Sequence, residues 1–215
     1  KYGLLRGAVN KAAYPDGSPR DVRLLAENRL NTNYGELIPR HDVPGDAGLR
    51  FGTDLMFYGN GDLRYIAFKS RTHISTRYGD FPCISAMFYE GGGLKHLFME
   101  DMDDVCGMGE AMELELADKQ RILLDFGIVD ARIAGITFHA GGAIESVTFV
   151  PDETAVLDTP NGSVKLKHGM TFHENGSVRA LEPAEPLLVD TPIGELTAFD
   201  RSEERRVGKE CRSRW

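Results

Sequence analysis

Apolar residues in this chain alternate with polar ones in short runs that end at glycine turns, and the runs repeat. Phe57-Tyr58-Gly59-Asn60-Gly61-Asp62-Leu63 and Phe172-His173-Glu174-Asn175-Gly176-Ser177-Val178 set Asn-Gly between apolar flanks. This predicts β-hairpins, because both turn residues tolerate positive φ. Counted from Ala13, Phe57, Phe88, Phe138 and Phe172, the fourth residue on is always glycine: Gly17, Gly61, Gly92, Gly142 and Gly176. The ninth is always apolar: Val22, Ile66, Leu97, Val147 and Leu181.

A second turn follows in four of the five copies. It reads Thr32-Asn33-Tyr34-Gly35, Thr76-Arg77-Tyr78-Gly79, Thr159-Pro160-Asn161-Gly162 and Thr191-Pro192-Ile193-Gly194. Apolar residues flank it at fixed offsets, as Leu30 and Leu37, Ile74 and Phe81, Leu157 and Val164, Val189 and Leu196. Two strands sharing one buried face require such spacing. The third copy fits only if Gly127 supplies this glycine after an insertion. Val164, Leu166, His168, Met170 and Phe172 then alternate with polar or small neighbours into the fifth copy, the period of a half-exposed strand. The matching link from Gly79 to Phe88 is one residue shorter than that from Gly162 to Phe172, which a β-bulge would reconcile. Met112, Leu116 and Leu123 among acidic residues predict at most one short helix, near 109–124.

These elements predict an all-β fold, a repeat array of antiparallel hairpins in an elongated or curled sheet. It forms one domain over 1–200, with Phe57, Phe88, Phe138, Phe172 and the ninth-position aliphatics as its core. Insertions at 41–53 and 100–125 interrupt the repeat. The last fifteen residues, RSEERRVGKECRSRW, resemble the in-frame translation of a common sequencing adapter and are expected to be an artefactual tail. The natural sequence is therefore expected to run past Asp200.

Setting the tail aside sharpens the charge. The chain carries a net charge of −8; the tail holds six of 25 basic and three of 33 acidic residues, leaving 19 against 30, or −11. So acidic a body is a poor partner for DNA, RNA or an anionic membrane. Cys83 and Cys106 remain, without CxxC spacing, and fit a reducing compartment or simple core use better than a disulfide scaffold. No apolar run approaches the ~20 residues of a membrane-spanning helix.

Candidate chemistry is sparse. There is no GxSxG elbow, Walker A loop, HExxH or strand-bound GxGxxG, and no cofactor is expected. Asp101, Asp103 and Asp104 form an acidic cluster that reads either as a calcium or magnesium site or as a solvated loop. Tyr14, Tyr58, Tyr89, His139 and His173 share one slot, directly after each copy's first position. They predict a ladder, which either lines a ligand groove or partner surface or packs side by side between repeats. Glu36, Asp80 and Glu195 each follow a second-turn glycine, and recurrence at equivalent places favours a turn or solvent face over a catalytic pair.

The motif Phe-Tyr-x-x-Gly-x-Leu-(Arg/Lys)-x-(Ile/Leu) at Phe57–Ile66 and Phe88–Leu97 is similar to the MORN-variant repeats of bacterial proteins. With the Thr-Pro-x-Gly turns at Thr159–Gly162 and Thr191–Gly194, the chain resembles uncharacterised bacterial proteins that alternate the two motifs, over roughly 13–200. The resemblance implies a bacterial, cytoplasmic hairpin-repeat protein. The expected function is a non-catalytic module that binds or scaffolds a protein partner. The alternative is a small-ligand or metal-dependent sensor or enzyme with its site at the two insertions, where His41, Asp42, Asp101 and Asp103 would converge.

Overall fold

The computed structural model describes residues 1–42, 52–99, 118–160, 162–191 and 194–198. These form seventeen strands and no helix. In chain order they are β1 (Ala8–Ala13), β2 (Pro19–Leu24), β3 (Leu30–Thr32), β4 (Gly35–Leu37), β5 (Leu55–Phe57) and β6 (Leu63–Thr76). There follow β7 (Gly79–Phe88), β8 (Leu94–Phe98), β9 (Gln120–Leu124), β10 (Gly127–Ala131), β11 (Ile133–Phe138) and β12 (Ile144–Phe149). The last five are β13 (Ala155–Thr159), β14 (Gly162–Phe172), β15 (Val178–Pro183), β16 (Leu187–Thr191) and β17 (Gly194–Ala198). Thirteen strands join one open antiparallel sheet, ordered β1-β2-β5-β6-β7-β8-β11-β12-β14-β13-β10-β9 with β15 branching from β14; β3-β4 and β16-β17 pair separately.

The first glycine of each copy closes one kind of hairpin five times over. In β1-β2, β5-β6, β7-β8, β11-β12 and β14-β15 the glycine N–H donates to the carbonyl three residues back at 2.8–2.9 Å. The glycine φ stays between 81° and 87°, a left-handed value that a side chain would strain. Identical turns impose identical registers. The ninth residue of each copy pairs with the residue two before the next copy's first position. The inner row therefore runs unbroken as Val22, Leu55, Ile66, Ala86, Leu97, Ile136, Val147, Met170 and Leu181. All but Leu181 lie in the buried core, where Phe57, Phe88, Phe138 and Phe172 join them.

The later glycine closes the other kind. Thr32, Thr76 and Thr159 each donate a hydroxyl hydrogen bond across their own turn to the carbonyl of Gly35, Gly79 or Gly162, at 2.8–3.1 Å. The flanking apolar pairs stand opposite one another, Leu30 with Leu37, Ile74 with Phe81, Leu157 with Val164 and Val189 with Leu196. The third copy supplies its own version in β9-β10, where Ile122 pairs with Val129 around Leu124-Asp125-Phe126-Gly127. At most one short helix was expected near 109–124, and none occurs among the described residues there. Gln120–Leu124 is a strand, because the alternation of buried Ile122 with exposed Arg121 and Leu123 is satisfied by pairing with β10; residues 109–117 lie outside the described residues. Asp101, Asp103, Asp104 and the 201–215 tail lie outside them too.

Long strands carry the chain from one kind of hairpin to the other. β6 breaks register between Ala67 and Thr72, and β14 breaks it between Lys167 and Met170. The extra residue of the longer link falls at His168-Gly169, with φ of 56° and 155°. A Cβ at Gly169 would collide with the Val147 carbonyl. The bend turns His168 outward, so it is exposed while Leu166 and Met170 on either side stay buried, a departure from strict alternation.

Second-turn aromatics pack on first-turn hairpins two copies further on. Tyr34 of the first copy stacks on Phe88 of the third with centroids 5.8 Å apart, and its hydroxyl accepts from Leu94 N–H at 2.9 Å. Tyr78 of the second accepts from Ile144 N–H of the fourth at 3.3 Å. Phe126 of the third meets Phe172 of the fifth at 6.3 Å. Tyr2, beside Gly3, does the same for Phe57 and Leu63. Each turn thus closes the core over a neighbour, and one contiguous cluster runs from Val22 to Phe172.

Candidate functional site

The ladder residues are stitches between copies. Tyr14 Oη donates to the Phe57 carbonyl at 2.9 Å, Tyr58 to Phe88 at 2.9 Å and Tyr89 to Phe138 at 2.8 Å. His139 Nε2 meets the Phe172 carbonyl at 3.2 Å. A carbonyl only accepts, so this contact fixes the proton on Nε2. The Arg64 guanidinium lies 5.8 Å from the Tyr58 ring centre and the Lys95 ammonium 5.5 Å from that of Tyr89, geometry suited to cation–π attraction. His173 is exposed, and its ring has no partner among the described residues.

The outer face of the long sheet forms a second assembly. One register step from the inner row, cross-strand pairing aligns Asp21, Met56, Tyr65, Met87, His96, Thr137, Ser146, Thr171 and Ala180. Strands about 4.8 Å apart make this a nearly continuous stripe. From Met56 to Thr171 the side chains are half-buried. His96 anchors the middle: Nδ1 lies 2.8 Å from Thr137 Oγ1, its ring is 4.1 Å from that of Phe98, and it covers Gly135, where a Cβ would sit 2.7 Å from Nε2. Burial holds its pKa below the ordinary histidine value, and from Met56 to Thr171 the stripe carries no acidic or basic side chain besides this histidine. Beside it, the bend in β14 opens a groove of about 510 Å³ lined by Ser146, Thr148, His168 and Thr171. The sequence reading missed this face because it followed the inward positions. The signal was present in the residues just before each first position, Met56, Met87, Thr137 and Thr171, none of them charged.

The remaining candidates are tied to structure. Asp42 pairs with Arg23, and His41 turns its ring toward the Pro39 carbonyl. Arg40 Nε donates to buried Asp54 at 2.9 Å, whose other oxygen accepts from Leu24 N–H at 2.9 Å, and this pins the flanks of the first insertion. Asp80 accepts from Ser75 and His73, which hold its pKa below the usual carboxylate range, and Glu36 pairs with Arg29. Burial pushes the Cys83 thiol up to about 12, so it stays an unreactive core group. Among the described residues no group of three or more His, Cys, Asp or Glu could hold a metal ion, and no helix is long and apolar enough to cross a membrane. No family model, curated protein or solved structure matches the chain.

Proposed function

We propose that this chain is a non-catalytic, MORN-variant-like repeat module of the bacterial cytoplasm that binds or scaffolds a protein partner. The observation that carries this reading is the outer stripe from Met56 to Thr171, uncharged, half-buried and held in register across seven successive strand positions of an otherwise acidic chain. A row of methionine, tyrosine, histidine and hydroxyl side chains without lysine, aspartate or glutamate matches the depletion of charge found in protein-contact surfaces. The ladder supports the same reading, since Tyr14, Tyr58, Tyr89 and His139 spend their polar atoms on neighbouring carbonyls rather than on a convergent reacting centre.

The test is affinity capture from bacterial lysate with the full chain, beside a Tyr65→Glu/Met87→Glu variant whose circular dichroism matches. A stoichiometric protein held by the first and released by the second is the expected result. Equal capture by both would move the contact off this face, and turnover of a small molecule abolished by one point change would contradict the reading altogether.

A further inference from the structure

The register slips in every first hairpin at the same place. Met56 faces Tyr65 and Phe57 faces Leu63, so Arg64 is the extra residue of a β-bulge. Lys95, Glu145 and Arg179 are the extra residues of the next three copies, and Arg20 that of the first. Each is the seventh residue on from its copy's first position. Such a bulge re-aims a side chain. Leu63 and Ile66 are buried on either side of Arg64-Tyr65, so both of the latter face out, Arg64 exposed and Tyr65 half-buried. Lys95 stands in the same way beside His96, between buried Leu94 and Leu97. The bulges thus set a row of cations, broken by Glu145, alongside the uncharged outer stripe.

Arg20 is paired with Asp21. Arg64 and Lys95 lie over the rings of Tyr58 and Tyr89 and form no ion pair among the described residues. Because β6, β7 and β8 are neighbours in the sheet, Arg64 and Lys95 stand two strand spacings apart, about 9.6 Å. The order β8-β11-β12 puts Glu145 one equal step further on. A polyproline-II chain brings every third residue to one side over about 9.3 Å, which matches this step. An extended strand repeats at about 6.7 Å and misses it. The net charge of −8 repels a long polyanion, whereas a short segment meets the local row.

Resting on the binding-module reading above, we infer that the bulge row of the second to fourth copies docks a polyproline-II segment of a partner protein. At every third residue this segment carries an acidic, an acidic and a basic side chain, which face Arg64, Lys95 and Glu145 in turn. The residues between them lie along Tyr65 and Met87, an aromatic and apolar border of the kind on which proline packs. Charge complementarity fixes the register of the segment across the strands. Glu145 fixes its direction, because reversing the order of charges sets like against like.

The probe is a fluorescein-labelled peptide, Pro-Pro-Glu-Pro-Pro-Glu-Pro-Pro-Lys, titrated with the full chain and read by fluorescence anisotropy. Saturable binding that falls with added salt is expected, weakened about tenfold by Arg64→Glu and about tenfold by Lys95→Glu, with melting temperatures unchanged. A peptide of the same composition with its two glutamates adjacent should bind at least about fivefold more weakly. Replacing the closing lysine of the probe by glutamate should weaken binding, and Glu145→Lys should restore it. Absence of saturable binding, equal affinity for the spaced and adjacent peptides, or indifference to both Arg64→Glu and Lys95→Glu overturns the inference. If lysate capture still retains a partner through Tyr65 and Met87 in that case, the binding-module reading stands without the bulge row. Binding to phosphatidylserine vesicles that Arg64→Glu abolishes would assign the row to a lipid surface and overturn the peptide partner.

Discussion

The first and fifth copies are made from the same repeat and built in opposite ways. At the first copy, Asn10 rather than Lys11 stands opposite Val22, because β1 bulges between Asn10 and Ala12. Ala13 replaces the phenylalanine found in the other copies. The result is an exposed strand of mostly small residues with a lysine on a bulged edge. Charge and a bulge are what discourages another chain from pairing with an edge. At the last copy, Phe172, Val178 and Leu181 keep the repeat's apolar positions, and Ala180 and Leu181 keep its register against Thr171 and Met170. The comparison teaches that one repeat tolerates both a bulged strand of small residues and a strand that keeps the consensus.

Substitutions at equivalent positions break or sharpen this contrast. The largest difference is expected at the ninth residue: Ile66→Ala, fully buried, should cost about 2–5 kcal/mol in urea unfolding, and Leu181→Ala about 1 kcal/mol, since its site is only half closed. Gly169→Ala, at the bend leading into the last hairpin, should cost about 3 kcal/mol through its strained φ and the collision with the Val147 carbonyl. On the ladder, Tyr58→Phe should cost about 1 kcal/mol and His173→Phe close to none, because only the first removes a hydrogen bond. The smallest effect concerns pH. His96 is held neutral by burial and takes up its proton less readily folded than unfolded. Its contribution is therefore complete above the unfolded histidine value and falls as pH drops through about 6.5. His96→Gln should flatten the loss of stability between about pH 7.5 and 5, measured as the unfolding midpoint.

Both hairpin classes were legible in the chain, because glycine spacing and apolar offsets are local signals. Thr76-Arg77-Tyr78-Gly79 announces its own turn, and the pairing of Ile74 with Phe81 follows from it. The third copy was harder. Leu124 stands where the others have threonine, and the helical spacing of Met112, Leu116 and Leu123 competed with the alternation of Ile122 and Leu124. What decided the matter was β10, a partner that no window around residue 120 contains. The packing of Tyr34 on Phe88 and of Phe126 on Phe172 skips a copy, and a one-dimensional repeat does not reveal that offset. The outer stripe was readable only in part. Methionine and threonine before each first position show in the chain, yet their half-buried environment depends on cross-strand neighbours such as Phe98 and Gly135.

Amide hydrogen exchange on the full chain, compared at the ninth residue of successive copies, tests the difference between them most directly. Leu97 and Val147 pair onward with β11 and β14, and their amides should be protected to the level of global unfolding. The Leu181 amide, whose strand pairs only with β14 among the described residues, should exchange at least about a hundredfold faster. Equal protection of Leu181 and Val147 would contradict this difference between the copies.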